Sequence, residues 1–251
     1  MYGRGYSGGG MGFGPSVTPP VIKQLIIANV VVFFAQFAFR LPLFEVLTAS
    51  PWDFWHRGFL WQPFTYMWMH AGLGHILANM FSLWMFGSQV ALAWGAQRFL
   101  RFYLLCGVGA GLIIVSYPWI PVLLGAGNAA TLQYPTLGAS GAIFGVLLAY
   151  SLTWPDRTIM LIFPPVAFRA IWLIPLLFFM EASFGPPNIS HAGHLGGVLV
   201  GWLLLRGQGD ARGLPSLEQI RWRFKRWQMR KRLRAVQSEQ SRNSNDRPSY
   251  H

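Results

Sequence analysis

Residues 70–92 read HAGLGHILANMFSLWMFGSQVAL. From Leu73 onward the run is long and apolar enough to cross a bilayer, because about 20 such residues span about 30 Å of hydrocarbon. Its polar groups gather at one end. His75 and Asn79 are four residues apart, so they lie on one helix face, one turn apart, and His70 stands just before them. The rest of the chain is read outward from this span and its polar entrance.

Five further runs share its apolar character, at about 21–41, 99–117, 138–154, 167–184 and 191–206. The first is too long for a signal-peptide core and has no small-residue cleavage site after it, so it reads as a retained span. Segment 118–136 is not a seventh, since Pro118, Pro121, Pro135, Gly125, Gly127, Asn128 and Gln133 interrupt it. The pattern predicts an all-α membrane protein, a bundle of six transmembrane helices over residues 21–206. Residues 1–20, Gly-rich with Pro15, Pro19 and Pro20, read as a flexible arm, and residues 207–251 as a basic tail.

Composition agrees with this class. Of the 251 residues, 53% are hydrophobic and only 11% charged, against roughly 25% charged in an ordinary soluble domain. That excludes a disordered chain and argues against a soluble enzyme. The single cysteine, Cys106, excludes an intrachain disulfide and a multi-cysteine zinc site. The net charge of +12 is mostly local, because the chain from Arg206 onward holds twelve Lys/Arg against four Asp/Glu. In the tail, Ser216 and Gln219 have capping-box spacing, and Ile220, Phe224 and Trp227 recur at helical spacing among the basic residues. This reads either as an interfacial helix on anionic lipid or as a solvated tail that helps set topology; nucleic acid is not an expected partner.

Basic residues also give an orientation. With the N-terminus inside, the inner segments carry Arg4, Lys23, Arg98, Arg101, Arg157, Arg169 and the tail, and the outer ones only Arg40 and Arg57, as the positive-inside rule requires. Both termini are then cytoplasmic. Segment 42–70, with Trp52, Trp55, Trp61, Tyr66 and Trp68, belongs at the membrane–water boundary.

Polar side chains inside spans are costly and face a protein interior or a wet cavity. They fall in three clusters: His75 with Asn79, Ser140 within Gly138-Ala139-Ser140-Gly141, and His191 with His194. In the six-span topology all three enter at the outer side. Singly, each has an ordinary explanation: a serine bonded to the preceding turn, interhelical glue, a buried histidine. Together they converge on one depth. Gly138, Ala142, Gly145 and Ala149 form a small-residue stripe, and His194, Gly197 and Gly201 share a face. Small residues allow close helix approach, as a Ser140–His194 distance of about 2.6–3.2 Å would need. The span from Gly138 to Trp154 covers only roughly 25 Å before Pro155, which places Ser140 below the outer surface, facing water. No Asp or Glu is placed mid-span to orient His194. His70 and His191 read as interfacial.

These residues resemble the rhomboid family of intramembrane serine proteases, in its bacterial-type six-span form. The resemblance rests on His70-Ala-Gly-Leu-Gly-His75-Ile-Leu-Ala-Asn79, on Gly138-Ala-Ser140-Gly141 and on His194-Leu-Gly-Gly197-Val-Leu-Val-Gly201, in that order. It implies Ser140 as nucleophile and His194 as general base and later acid, a dyad without an acidic third member. It implies His75, Asn79 and the Ser140 N–H as oxyanion donors, with Gly138, Gly141, Phe144 and Gly197 in support. Phe144 stands where many relatives carry Tyr against the histidine. It further implies hydrolysis of a peptide bond in or near the transmembrane segment of single-span membrane proteins, with no metal and no cofactor, in a bacterial inner membrane with the site opening outward. Two family features are missing: Trp61 is followed by Gln62 where many relatives have Arg, and no Glu stands near Ala91 on the inner part of span two. The alternative is an inactive rhomboid-like protein that binds membrane clients. A metalloprotease built on His191 and His194 lacks the His-Glu-x-x-His helix, and a transporter would need paired ionisable groups along a pathway.

Overall fold

Pro20 opens the first long helix, α1 (Pro20–Ala38), at a position where its missing N–H costs nothing. The computed structural model describes residues 14–38, 43–161, 165–184 and 190–207, with Arg226 and Met229. The chain after α1 forms three short helices, α2 (Leu43–Leu47), α3 (Pro51–His56) and α4 (Gln62–Thr65), and a 3-10 turn at Tyr66–Trp68. Residues Leu73–Trp94 then form one helical rod, made of α5 (Leu73–Ser82), a π turn (Leu83–Gly87) and α6 (Ser88–Trp94). Gly95 reverses the chain with φ 83°, and α7 (Ala96–Ser116) continues across Pro118 into α8 (Trp119–Leu123). After a 3-10 turn at Ala129–Gln133 come α9 (Ser140–Thr153), the hairpin strands β1 (Thr158–Met160) and β2 (Ala167–Arg169), α10 (Leu173–Phe184) and α11 (His191–Gly207).

Each of the six predicted runs contains a helix. Three are long and apolar enough to cross a membrane: Pro20–Ala38, Leu73–Trp94 and Ala96–Leu123. The helices α9, α10 and α11 have 14, 12 and 17 residues. The fifth run departs most from expectation. Its first residues, Ala167–Arg169, are not helical but pair antiparallel with Thr158–Met160, Ile159 opposite Phe168. The Ala170 N–H then donates to the Arg157 carbonyl at 2.8 Å, and the chain makes a 3-10 turn at Ala170–Trp172 before α10 begins at Leu173. The tail, including the capping box and the Ile220–Trp227 stripe, lies outside the described residues, as do residues 1–13 of the arm. Arg212–His251 forms a unit of its own, of which Arg226 and Met229 are helical and exposed.

Helix α9 is the core. Every residue from Gly141 to Ser151 is buried, with α7 and α11 packed along it. The close approach is backbone to backbone. A Cβ on Gly197 would lie 1.8 Å from the Gly141 carbonyl oxygen, so only glycine permits this α9–α11 crossing. The stripe that meets α11 is therefore Gly141 and Gly145; Ala142 turns to Gly107 of α7 instead.

The segment before α5 braces the entry to α9. Ala49 and Thr136 exchange two backbone hydrogen bonds of 2.8 Å. The Gln62 amide, fully buried, accepts from the Ser50 N–H at 3.1 Å and points its Nε2 at the Glu45 and Val46 carbonyls, both at 3.5 Å. Trp61 Nε1 donates to the Val46 carbonyl at 2.9 Å. A neutral amide thus closes this loop. Toward the C-terminal end of the Leu73–Trp94 rod, Gln89 accepts from Arg157, which ties α6 to the turn after α9.

Candidate active site

The segment leading to Ser140 is shaped by its neighbours. Gly138 has φ +120°, and a Cβ there would lie 2.7 Å from both Cε1 and Nε2 of His75. A side chain at this position is excluded by conformation and by space. The Gly138 N–H donates to the Tyr66 carbonyl at 3.0 Å. The Tyr66 hydroxyl in turn donates to the Gly107 carbonyl at 2.8 Å. Burial pushes the Tyr66 phenol far up, so it stays a neutral donor. Ser140 is the first residue of α9, and the N–H groups of a first helical turn have no partner within the helix.

His194 Nε2 is 2.8 Å from Ser140 Oγ. Its ring lies parallel to that of Phe144, 4.2 Å between centroids and 11° between planes. Helix α11 is set for this contact by its own first turn, where the Ser190 carbonyl accepts from the His194 N–H at 3.2 Å and Ser190 Oγ from the Gly193 N–H at 3.2 Å.

His75 and Asn79 face the same segment from α5. The Ala71 N–H donates to His75 Nδ1 at 3.4 Å, which makes Nε2 the protonated nitrogen, the one beside Gly138. Asn79 is buried, and its Nδ2 has no hydrogen-bond partner among the described residues. An unused buried donor is costly; one beside a serine–histidine pair is available to an anionic oxygen formed there.

Two readings change. No acid is expected beside His194, yet Glu181 Oε1 of α10 lies 2.7 Å from His194 Nδ1. Nδ1 makes no aligned hydrogen bond among the described residues, so this is a close polar contact. Glu181 Oε2 lies 3.6 Å from Nδ1 of His191, whose side chain is 55% exposed. Because α10 starts late and is short, its acid falls near its end, level with the base. The available signal was that Glu181 is the one acid in the run LIPLLFFMEASF. The second change is His70, which is fully buried in protein, its ring edge-on to His75 with centroids 5.1 Å apart. Burial first, and then the neighbouring His75, lower its pKa to about 4. Gln36 of α1, another residue the sequence reading passed over, grips the His70 backbone.

Ser140, His194, His75, Asn79, Phe144 and Glu181 line one cleft of about 1740 Å³. It runs between the α5–α6 rod and α10 as far as Trp154 and Arg157. The arrangement offers a hydroxyl, a base that can take its proton, two donors beside it and a trough long enough for an extended peptide.

Residues 57–207 match the Rhomboid domain family model. The chain is 36% identical over 144 residues to the human presenilin-associated rhomboid-like protein, mitochondrial, a match covering 55% of this chain and 35% of that protein. It is 34% identical over 161 residues to rhomboid protein 1, mitochondrial, of Saccharomyces cerevisiae, covering 61% and 44%. It is 32% identical over 162 residues to the rhomboid protease GluP of Bacillus subtilis, covering 64% and 27%. The chain thus spans less than half the length of these curated relatives. Two are mitochondrial and one is bacterial, so the expected bacterial inner membrane draws no support from them. The family model covers the whole stretch from Arg57 to Gly207, including every side chain that lines the serine–histidine pair: the chain belongs to the rhomboid family.

Proposed function

We propose that this chain is a serine endopeptidase that hydrolyses a peptide bond in or near the transmembrane segment of single-span membrane proteins. The observation that carries the reading is the 2.8 Å contact between Ser140 Oγ and His194 Nε2, which is proton-transfer distance. Ser140 Oγ attacks the scissile carbonyl carbon while its proton passes to His194 Nε2. His75 Nε2, Asn79 Nδ2 and the Ser140 N–H receive the oxyanion. The imidazolium returns its proton to the leaving amine, and water then hydrolyses the acyl-enzyme. Phe144, flat against His194, holds the ring; Gly141 and Gly197 allow the backbones to approach, and Gly138 leaves room for the His75 ring.

A helix hides its carbonyls in its own hydrogen bonds, so the substrate segment is one that unwinds easily and lies extended in the cleft. The protein sits in a membrane with six spans, both termini cytoplasmic and the site at the opposite face. The basic tail contacts anionic lipid.

Purified full-length protein is mixed with a single-span substrate in vesicles. Ser140→Ala and His194→Ala each abolish cleavage while the melting temperature holds, and a fluorophosphonate labels wild type but not Ser140→Ala. Full cleavage by Ser140→Ala would overturn the reading. A wild type that captures substrate without cutting it points to the inactive client-binding alternative.

A further inference from the structure

A carboxyl group on an apolar helix needs a reason, because an ionisable group among membrane spans is expensive and is retained where it has a partner and a task. Glu181 is set in Leu173–Phe184, a helix otherwise free of ionisable residues. Its side chain is only 14% exposed, and among the described residues its neighbours of opposite character are two imidazoles. Oε1 lies 2.7 Å from His194 Nδ1, and Oε2 lies 3.6 Å from His191 Nδ1. The other nitrogen of the same His194 ring lies 2.8 Å from Ser140 Oγ. The three groups therefore form a continuous chain, hydroxyl to imidazole to carboxylate, drawn from α9, α11 and α10.

We propose that Glu181 is a positioning residue for the dyad, so that the site operates as a serine–histidine–glutamate relay. The inference rests on the protease reading above. A neutral imidazole carries one proton, and a carboxylate beside Nδ1 favours the tautomer with that proton on Nδ1. Nε2 is then left with a lone pair facing Ser140 Oγ. When Oγ bonds to the scissile carbon, its proton goes to Nε2, and the ring becomes a cation held between Phe144 and the Glu181 carboxylate. Glu181 itself takes up no proton; it fixes the tautomer and balances the transient charge. The unaligned contact of Oε1 in the free protein fits this role, because catalytic contacts often align only once substrate is bound. His191, more exposed, lies 3.6 Å from the second carboxylate oxygen, which has no hydrogen-bond partner among the described residues.

The contact also ties chemistry to the position of α10, the helix that carries the carboxylate along the cleft wall. Glu181 is the group through which seating of this wall reaches the base.

The test compares Glu181→Gln and Glu181→Asp with wild type, in full-length protein in vesicles, by cleavage kinetics, fluorophosphonate labelling of Ser140 and melting temperature. Glu181→Gln keeps shape and loses charge. The expected result is a fall in kcat of roughly 100-fold, with slower labelling and with KM and melting temperature unchanged. Glu181→Asp keeps the charge one methylene short and recovers activity above the Gln variant. A wild-type kcat in Glu181→Gln overturns the inference, and so does an equal loss in Gln and Asp accompanied by a lower melting temperature, which marks a packing role. If cleavage proves independent of Ser140, the protease reading itself has failed; if it requires Ser140 and His194 but ignores Glu181, only the relay has.

Discussion

The side-chain amide of Gln36 clasps the backbone of His70, donating to its carbonyl at 2.5 Å and accepting from its N–H at 3.3 Å. One residue of α1 thereby fixes the height at which the chain enters α5, and with it the level of His75 and Asn79. Gln36→Leu leaves both His70 backbone groups buried and unmatched. It should cost about 2 kcal/mol, seen as a lower melting temperature, together with a fall in kcat as the oxyanion donors lose register. Unchanged melting would show that the clasp contributes nothing.

Gly197→Ala places a methyl group 1.8 Å from the Gly141 carbonyl oxygen. Helices α9 and α11 must then part, and the Ser140–His194 contact with them. Cleavage and fluorophosphonate labelling are both expected to disappear. The control is Gly74→Ala on α5, where a Cβ meets nothing within 4 Å; it should cut substrate at nearly the wild-type rate.

Asn79→Ala removes a buried donor that has no partner among the described residues. Folding therefore loses little, while the transition state loses a preorganised hydrogen bond of about 2.7–4 kcal/mol. The expected signature is a kcat lower by roughly 10²–10³-fold at constant KM and constant melting temperature. A KM effect alone would move Asn79 from oxyanion binding to substrate binding.

His70 ties stability to pH. An unfolded histidine takes up its proton near 6.5, whereas burial and the nearby His75 hold the folded one down at about 4. Above the first value the ring is neutral in both states. As pH falls from there toward about 4, the unfolded chain binds the proton first, so stability declines across that window and levels off below it. Melting curves from pH 7 to pH 4 should fall for wild type and be flatter for His70→Asn. Equal slopes would discharge His70 from this role.

The main helices and the convergence of Ser140, His194, His75 and Asn79 are legible in the sequence because they depend on local rules. Apolar length marks the runs, and the few polar exceptions stand out against them at helical spacing. The same rules mislead at Ala167–Arg169, which adjoin an apolar run but pair instead as a strand across a hairpin. That shift moves the helix start and hides the register of Glu181 against His194. Gln36 and Gln62 are hidden for a second reason. Each acts on a partner distant in sequence, His70 and Ser50, and no periodicity reports a clasp of one amide on a remote backbone. The Gly141–Gly197 contact is half legible: small residues announce a close crossing, but which of two adjacent stripes makes it depends on helix rotation.

The burial of α9 on all sides has an effect on how surroundings act upon the protein. Acyl chains do not reach the helix that bears the nucleophile, since its residues from Gly141 to Ser151 are covered by protein. Helix α10 instead leaves Phe179 and Phe184 uncovered by protein. On the proposed protease reading, bilayer thickness and headgroup composition bear on how a substrate is admitted, while the chemistry at Ser140 belongs to an interior insulated by protein, and the two can be tuned independently.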